Sequence, residues 1–347
     1  MEKLNPLFSL IKDYLTHYMP LERKFSENSI RSYRKSLNLL LDYVKTQNGI
    51  PLAKITFDMI DRNVLSAFLD YLETDRKCSP STRNQRLHCI RAFYAFAAEN
   101  NIVAITHYEE ILKVKSAIIP EKLVKHMSED AVNAVIAQAD TSNEKGLRNM
   151  LLMLFLYKTG ARIEEALNVR LRDIQFGKSP NVTLYGKPNN KARIVPLREN
   201  TVEHLKEFIK MFHADEGIYS DTHLFCTTRN GIKKRMTEDN ARNLVQKYGT
   251  MAHAVCREVP QNVHPHLFRH SCAMSLYRSG VHLTLISQWL GHANFETTLI
   301  YAHADTEIKR KAIEKAIPAD TPLGKITNTK RYKIEDDEIL KELCGLS

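Results

Sequence analysis

Residues 147–171 read LRNMLLMLFLYKTGARIEEALNVRL. From Leu147 to Tyr157 the stretch is apolar nearly all round. That predicts a helix buried in a core rather than a surface helix with one wet face. Thr159-Gly160 closes it, and ARIEEALNVRL resumes helical spacing. Upstream, Ser128 is placed to cap EDAVNAVIAQAD. Downstream, residues 181–197, NVTLYGKPNNKARIVPL, change character. Val182, Leu184, Ile194 and Val195 flank a polar centre, the pattern of a β-hairpin. Helices are expected at about 199–213, 237–253, 266–279, 283–290 and 296–303.

The first third reads as helices alone. Residues 26–47 place Ile30, Tyr33, Leu37, Leu40, Leu41 and Val44 on one face, between a Ser26 cap and an Asn48-Gly49 stop. Residues 58–73 repeat the pattern with Ile60, Val64, Leu65, Phe68, Leu69 and Leu72. A third helix, about 81–100, carries Leu87, Ile90, Phe93 and Tyr94 on one face, and Arg83, Arg86 and Arg91 opposite. The periodicity breaks over 104–127, which reads as a linker containing Pro120. The expected division is a helical domain at 1–115, a linker at 116–127, a second domain at 128–304 and a tail at 305–347. Residues 334–344 of the tail form a short amphipathic helix, which should dock somewhere. The fold class is mainly α, with a small sheet in the second domain.

The chain has 347 residues, and 50 Lys and Arg stand against 40 Asp and Glu, a net charge of +10. The hydrophobic share of 43% excludes a disordered or collagen-like chain. The charge fits a nucleic-acid partner without requiring one. The six cysteines form no C-x-x-C pair, so neither a structural zinc site nor a redox motif is expected. The N-terminus lacks a signal-peptide pattern, and no apolar run is long enough to span a bilayer. A cytoplasmic protein with reduced thiols, away from membranes, is expected.

Four stretches of the second domain hold polar residues that local structure does not demand. They are Thr159–Leu167 (TGARIEEAL), Gly186–Pro188 (GKP), His264–His270 (HPHLFRH) and Leu290–Tyr301 (LGHANFETTLIY). Each alone has a bland reading. An arginine after Thr-Gly is commonly a surface residue, and a hairpin lysine is commonly solvated. His266 and His270, four apart on one helix face, are satisfied histidines or a metal pair, but no acid stands at zincin spacing.

Taken in order, the four stretches resemble the tyrosine recombinase (phage integrase) family. TGARIEEAL is similar to its T-G-x-R-x-x-E-L box, and GKPNNKARIVPL to its G-K-G-x-K-x-R-x-V-P-L hairpin, with Pro188 where glycine is usual. HLFRH is similar to its H-x-x-R-H box, and LGHANFETTLIY to its L-G-H, T-T and Y. The resemblance covers about 128–303, and the helical first third is similar in placement to the family's core-binding domain. It implies a DNA breaking-rejoining fold and catalytic roles for Arg162, Lys187, His266, Arg269, His292 and the nucleophile Tyr301. It implies no metal and no cofactor. Lys191 rivals Lys187 on the same hairpin. Glu165 and His270 are read as supporting residues rather than reactive ones.

The chemistry agrees. A phosphodiester under attack gathers charge on its non-bridging oxygens, which two arginines can clamp. A phenol is protonated at neutral pH and needs cationic surroundings or a base to attack. The expected partner is double-stranded DNA at a specific site, held by a homotetramer. Arg83, Arg86 and Arg91 either face a groove or form a solvated basic face. The tail helix docks in cis or on a neighbouring copy. Relaxation of DNA by a type IB topoisomerase, and a non-catalytic helical regulator, are the rival functions.

Overall fold

The computed structural model describes residues 5–119, 124–186, 192–217, 219–304 and 310. They fall into two compact units, residues 1–121 and 122–347 by number.

In the first unit, Asn5 accepts a hydrogen bond from the Leu7 amide and opens α1 (Pro6–Asp13), which runs into a π-helical stretch at Tyr14–Glu22. The sequence reading had assigned no helix there. Helix α2 (Glu27–Asn48) lies between the expected Ser26 cap and a Gly49 in the left-handed conformation, φ 61°. Helix α3 (Arg62–Thr74) starts later than expected, because residues 57–59 form a separate 3₁₀ turn and Asp61 is the cap. Helix α4 (Pro80–Asn100) is capped by Ser79, with proline at its first position, where no amide donor is needed. Leu37, Leu40 and Val44 of α2, Phe68 and Leu69 of α3 and Ile90 and Phe93 of α4 are buried together. Tyr14 meets Phe93 edge-on, with centroids 5.5 Å apart.

Helix α5 (Val103–Leu112) corrects the expectation of a break from residue 104. Of its residues only Ala104 and Ile111 are buried, while Val103, Ile105 and Leu112 are exposed. Its apolar positions therefore trace no stripe for the eye to follow.

The second unit is built on the helix read as its core. Helix α7 (Glu144–Thr159) buries Leu151, Leu152, Met153, Phe155 and Leu156 completely. Helix α6 (Glu129–Ile136), capped by Ser128, precedes it, and the short α8 (Ile163–Asn168) follows. A three-stranded antiparallel sheet comes next: β1 (Ile174–Gln175), β2 (Asn181–Leu184) and β3 (Arg193–Pro196), in that order. Val182 pairs with Val195 and Leu184 with Arg193. Val182, Leu184 and Val195 are buried, as the alternation of a one-sided sheet requires.

Helix α9 (Glu199–Phe212) leads to a hairpin of β4 (Cys226–Arg229) and β5 (Ile232–Arg235) that the sequence reading missed. Its turn, Asn230-Gly231, has positive φ at both residues (51° and 76°), the signature of a type I′ turn. Helices α10 (Glu238–Val255), α11 (Pro265–Arg278), α12 (Leu283–Leu290) and α13 (Glu296–Ala304) complete the unit. Helix α11 packs on α7, and α12 on α11, α13 and β3. Those contacts bring the first, third and fourth polar stretches toward one place. Among the described residues no helix is long and apolar enough to cross a membrane.

Candidate active site

The site begins where α7 stops. Gly160 is the left-handed C-cap of α7, φ 62°, and a Cβ there would lie 2.6 Å from Cδ2 of Leu290. Glycine is thus required twice, by backbone conformation and by contact. Its carbonyl accepts from Nη1 of Arg269 at 2.7 Å, and Nη2 of Arg269 donates to the Leu290 carbonyl at 2.6 Å. One buried guanidinium therefore ties the C-terminal ends of α7 and α12, where helix dipoles favour a cation. Burial, and then the neighbouring Arg162, bring the pKa of Arg269 down to about 10, so it stays charged at neutral pH.

Arg162 follows two residues later as the first residue before α8. Its backbone amide and its Nη1 both donate to Glu165, each at 2.8 Å, and Nη2 reaches the Gly291 carbonyl at 3.3 Å. About a third of its side chain is open to solvent. Glu165 is only 4% exposed. Burial alone would push its carboxyl pKa up, but Arg193 and then Arg162 bring it down to about 2.

Arg193, the first residue of β3, is the residue that sequence reasoning passed over. Its two terminal nitrogens meet the two oxygens of Glu165 at 2.9 and 2.7 Å, and its Nε donates to the Trp289 carbonyl at 2.8 Å. The signal was present: strand alternation puts Arg193 on the same face as the buried Val195, and an arginine there needs a carboxylate. Trp289, packed against the core, also donates from Nε1 to the Thr159 carbonyl at 3.0 Å.

The fourth stretch supplies a histidine and the tyrosine. Gly291, in the left-handed region at φ 64°, ends α12 and turns the chain into His292. Nδ1 of His292 shares a 2.7 Å hydrogen bond with the hydroxyl of Thr298, a fully buried residue the sequence reading had not singled out. The His292 ring lies almost parallel to that of Tyr301, 14° apart with centroids at 6.5 Å. On the other side, the Tyr301 hydroxyl is hydrogen-bonded to Nδ1 of His270 at 3.0 Å. Tyr301 is 1% exposed. Burial raises its pKa to about 12, with Arg269 pulling the other way. Burial, then nearby cationic and imidazole groups, push His270 and His292 down to about 4, so both rings are neutral. His266 stands exposed in the first turn of α11, one turn before His270.

Arg162 and Arg269 are thus bonded to the ends of α7 and α12, with Glu165 held by Arg162, while Tyr301 is bonded to His270 and stacked beside His292. Lys187 and Lys191 lie outside the described residues, as does the tail helix at 334–344. Arg83, Arg86 and Arg91 are held within the first unit. Arg83 is buried and donates to the Lys115 carbonyl at 3.4 Å. Arg86 donates to the Ser32 carbonyl and the Ser36 hydroxyl, and Arg91 to the Leu112 and Val114 carbonyls. Among the described residues no group of three or more His, Cys, Asp or Glu is placed to hold a metal ion.

A buried, neutral phenol beside a charged arginine pair, on a helical scaffold with two small sheets, defines a class: the tyrosine recombinases. The model of the phage integrase family matches residues 125–307, and that of the phage integrase SAM-like domain matches residues 6–116. The chain belongs to the phage integrase family. It is 30% identical to tyrosine recombinase XerA of Pyrococcus horikoshii, over 91% of this chain and 96% of that one. It is 29% identical to a putative integrase/recombinase, y4rC, of Sinorhizobium fredii, over 92% and 94%. Its fold is similar to that of XerH site-specific recombinase bound to palindromic difH substrate (TM-score 0.68, 22% identity, covering 90% and 89%). It is likewise similar to the Tn1549 transposon integrase in complex with transposon right end DNA (TM-score 0.68, 16% identity, covering 90% and 98%).

Proposed function

We propose that this tyrosine recombinase cuts and rejoins double-stranded DNA at a specific site through a 3′-phosphotyrosyl link to Tyr301. The observation that carries the proposal is the setting of the Tyr301 hydroxyl, bonded to His270 and backed by the ring of His292. Arg162 and Arg269 hold the non-bridging oxygens of the scissile phosphate and oppose the charge that builds there. Tyr301 gives up its phenolic proton to a neighbouring histidine, and its oxygen bonds to phosphorus. The bond from phosphorus to the 5′ oxygen breaks, and that oxygen takes a proton from Lys187. The bound phosphate is itself an anion. It offsets the cationic groups that depress the histidines, so substrate binding raises their basicity. His266 and His292 donate to the phosphate.

The reaction conserves the phosphodiester energy in the protein–DNA bond. A 5′ hydroxyl from a partner duplex attacks the phosphotyrosine and regenerates the phenol, completing strand exchange. Four copies on two duplexes perform two such rounds. The first unit binds DNA beside the cleavage site, the second carries the chemistry, and the protein acts in the cytoplasm.

Tyr301→Phe tests this reading. It removes one oxygen from a buried site and leaves the arginines in place. The variant is expected to bind DNA like the parent and to yield no covalent adduct with a nicked substrate that traps the first cleavage, as read on a denaturing gel. An adduct formed by Tyr301→Phe would overturn the proposal.

A further inference from the structure

A carboxylate buried next to a phosphate-binding arginine is a hazard. Left to itself, Glu165 would take the Arg162 guanidinium as a two-pronged pair and cancel its charge. In this structure both Glu165 oxygens are met by Arg193, at 2.9 and 2.7 Å, while Arg162 keeps one side-chain bond to Glu165. Arg193 lies on β3 just beyond the hairpin segment that carries Lys187. Its Nε holds the Trp289 carbonyl, three residues before His292. The turn into His292 is also shaped around it: a Cβ on Gly291 would lie 3.0 Å from Nη1 and 3.1 Å from Cδ of Arg193.

We propose that Arg193 is a positioning residue for strand cleavage: it occupies Glu165, so that Arg162 retains its charge and its free donors for the scissile phosphate. Arg162, Glu165 and Arg193 together carry a net single positive charge. Without Arg193 the remaining pair is neutral, and Arg162 turns from the phosphate toward the carboxylate. The same side chain ties β3 to the turn that presents His292. This inference rests on the assignment of Arg162 to the phosphate.

Single-turnover cleavage, DNA binding and melting temperature are measured for Arg193→Gln, Arg193→Lys, the double variant Glu165→Gln/Arg193→Gln, and Arg162→Ala. Arg193→Gln is expected to bind DNA like the parent and to cleave roughly 100-fold more slowly, the scale for losing one preorganised electrostatic group. Arg193→Lys keeps the charge and loses less than about tenfold. The double variant regains about tenfold over Arg193→Gln, because a neutral amide no longer cancels Arg162. A purely structural Arg193 would show no ordering by charge, and removing its partner would deepen the loss.

Equal losses for Arg193→Gln and Arg193→Lys, or a double variant no better than Arg193→Gln, overturn the inference. If Arg193→Gln fails to fold, the double variant decides: cleavage within about tenfold of Arg193→Lys supports the inference, and a deficit above about 100-fold overturns it. Arg162→Ala separates the two layers. Parental cleavage by Arg162→Ala removes the phosphate assignment itself. Slow cleavage by Arg162→Ala with parental cleavage by Arg193→Gln removes only the role of Arg193.

Discussion

Tyr301, His270 and His292 are held in their uncharged forms. Both histidines are depressed to about 4, below the 6.5 of an unperturbed imidazole. A depressed basic group binds a proton in the unfolded chain before it does in the folded one. The stability this represents is whole above pH 6.5 and drains away as pH falls toward 4. Glu165, depressed from 4.5 to about 2, contributes stability above pH 4.5 that is lost only below that, so at pH 5 the histidines alone act. The DNA-free protein should therefore melt at a lower temperature at pH 5 than at pH 7.5. The cost is of the order of 1 kcal/mol per histidine after allowance for partial exposure. Thermal melts of His270→Gln checks this: the variant should lose less than the parent on acidification, and an unchanged difference would contradict the assignment. At this scale the sequence was readable where a residue sits in a spaced motif, as Arg162, Arg269, His292 and Tyr301 do. Arg193 and Thr298 lie within the same matched stretches but carried no assigned role, because that role depends on partners 28 and 6 residues away that only the folded chain brings within bonding distance.

Among elements, the long amphipathic or wholly buried helices were legible, because periodicity and end signals agreed: Ser26 and Gly49 bound α2, and Gly160 ends α7. Helix α5 was hidden because its apolar residues face solvent as often as core. The β4–β5 hairpin was missed although Asn230-Gly231 is a strong turn signal, because the strands beside it are only four residues long and rich in lysine and arginine. The closure of α7 is the element on which the site depends, and it yields a comparison. Gly49 and Gly160 both sit near φ 60°, but a Cβ on Gly49 would meet nothing within 4 Å, while one on Gly160 would collide with Leu290. Gly49→Ala should cost about 1 kcal/mol, for conformation alone. Gly160→Ala should cost at least about 2 kcal/mol and also slow cleavage, because the carbonyl that holds Arg269 must move. Chemical denaturation and single-turnover cleavage of the pair test this. Equal destabilisation would mean that the Leu290 contact relaxes freely.

For the molecule as a whole, the net charge of +10 indicated little beyond a tolerance for polyanions. The fold gives part of that charge an address. Arg162, Arg193 and Arg269 converge on one carboxylate and four carbonyls at the ends of two helices, beside a phenol enclosed by neutral histidines. The use proposed for that phenol is covalent capture of a phosphate. The most direct test is to trap the covalent complex on fragmented genomic DNA, digest it, and locate the amino acid that carries the nucleotide. A phosphotyrosyl link at Tyr301 is expected, with the DNA joined through its 3′ phosphate. A nucleotide on any other residue, or a 5′ linkage, would contradict it.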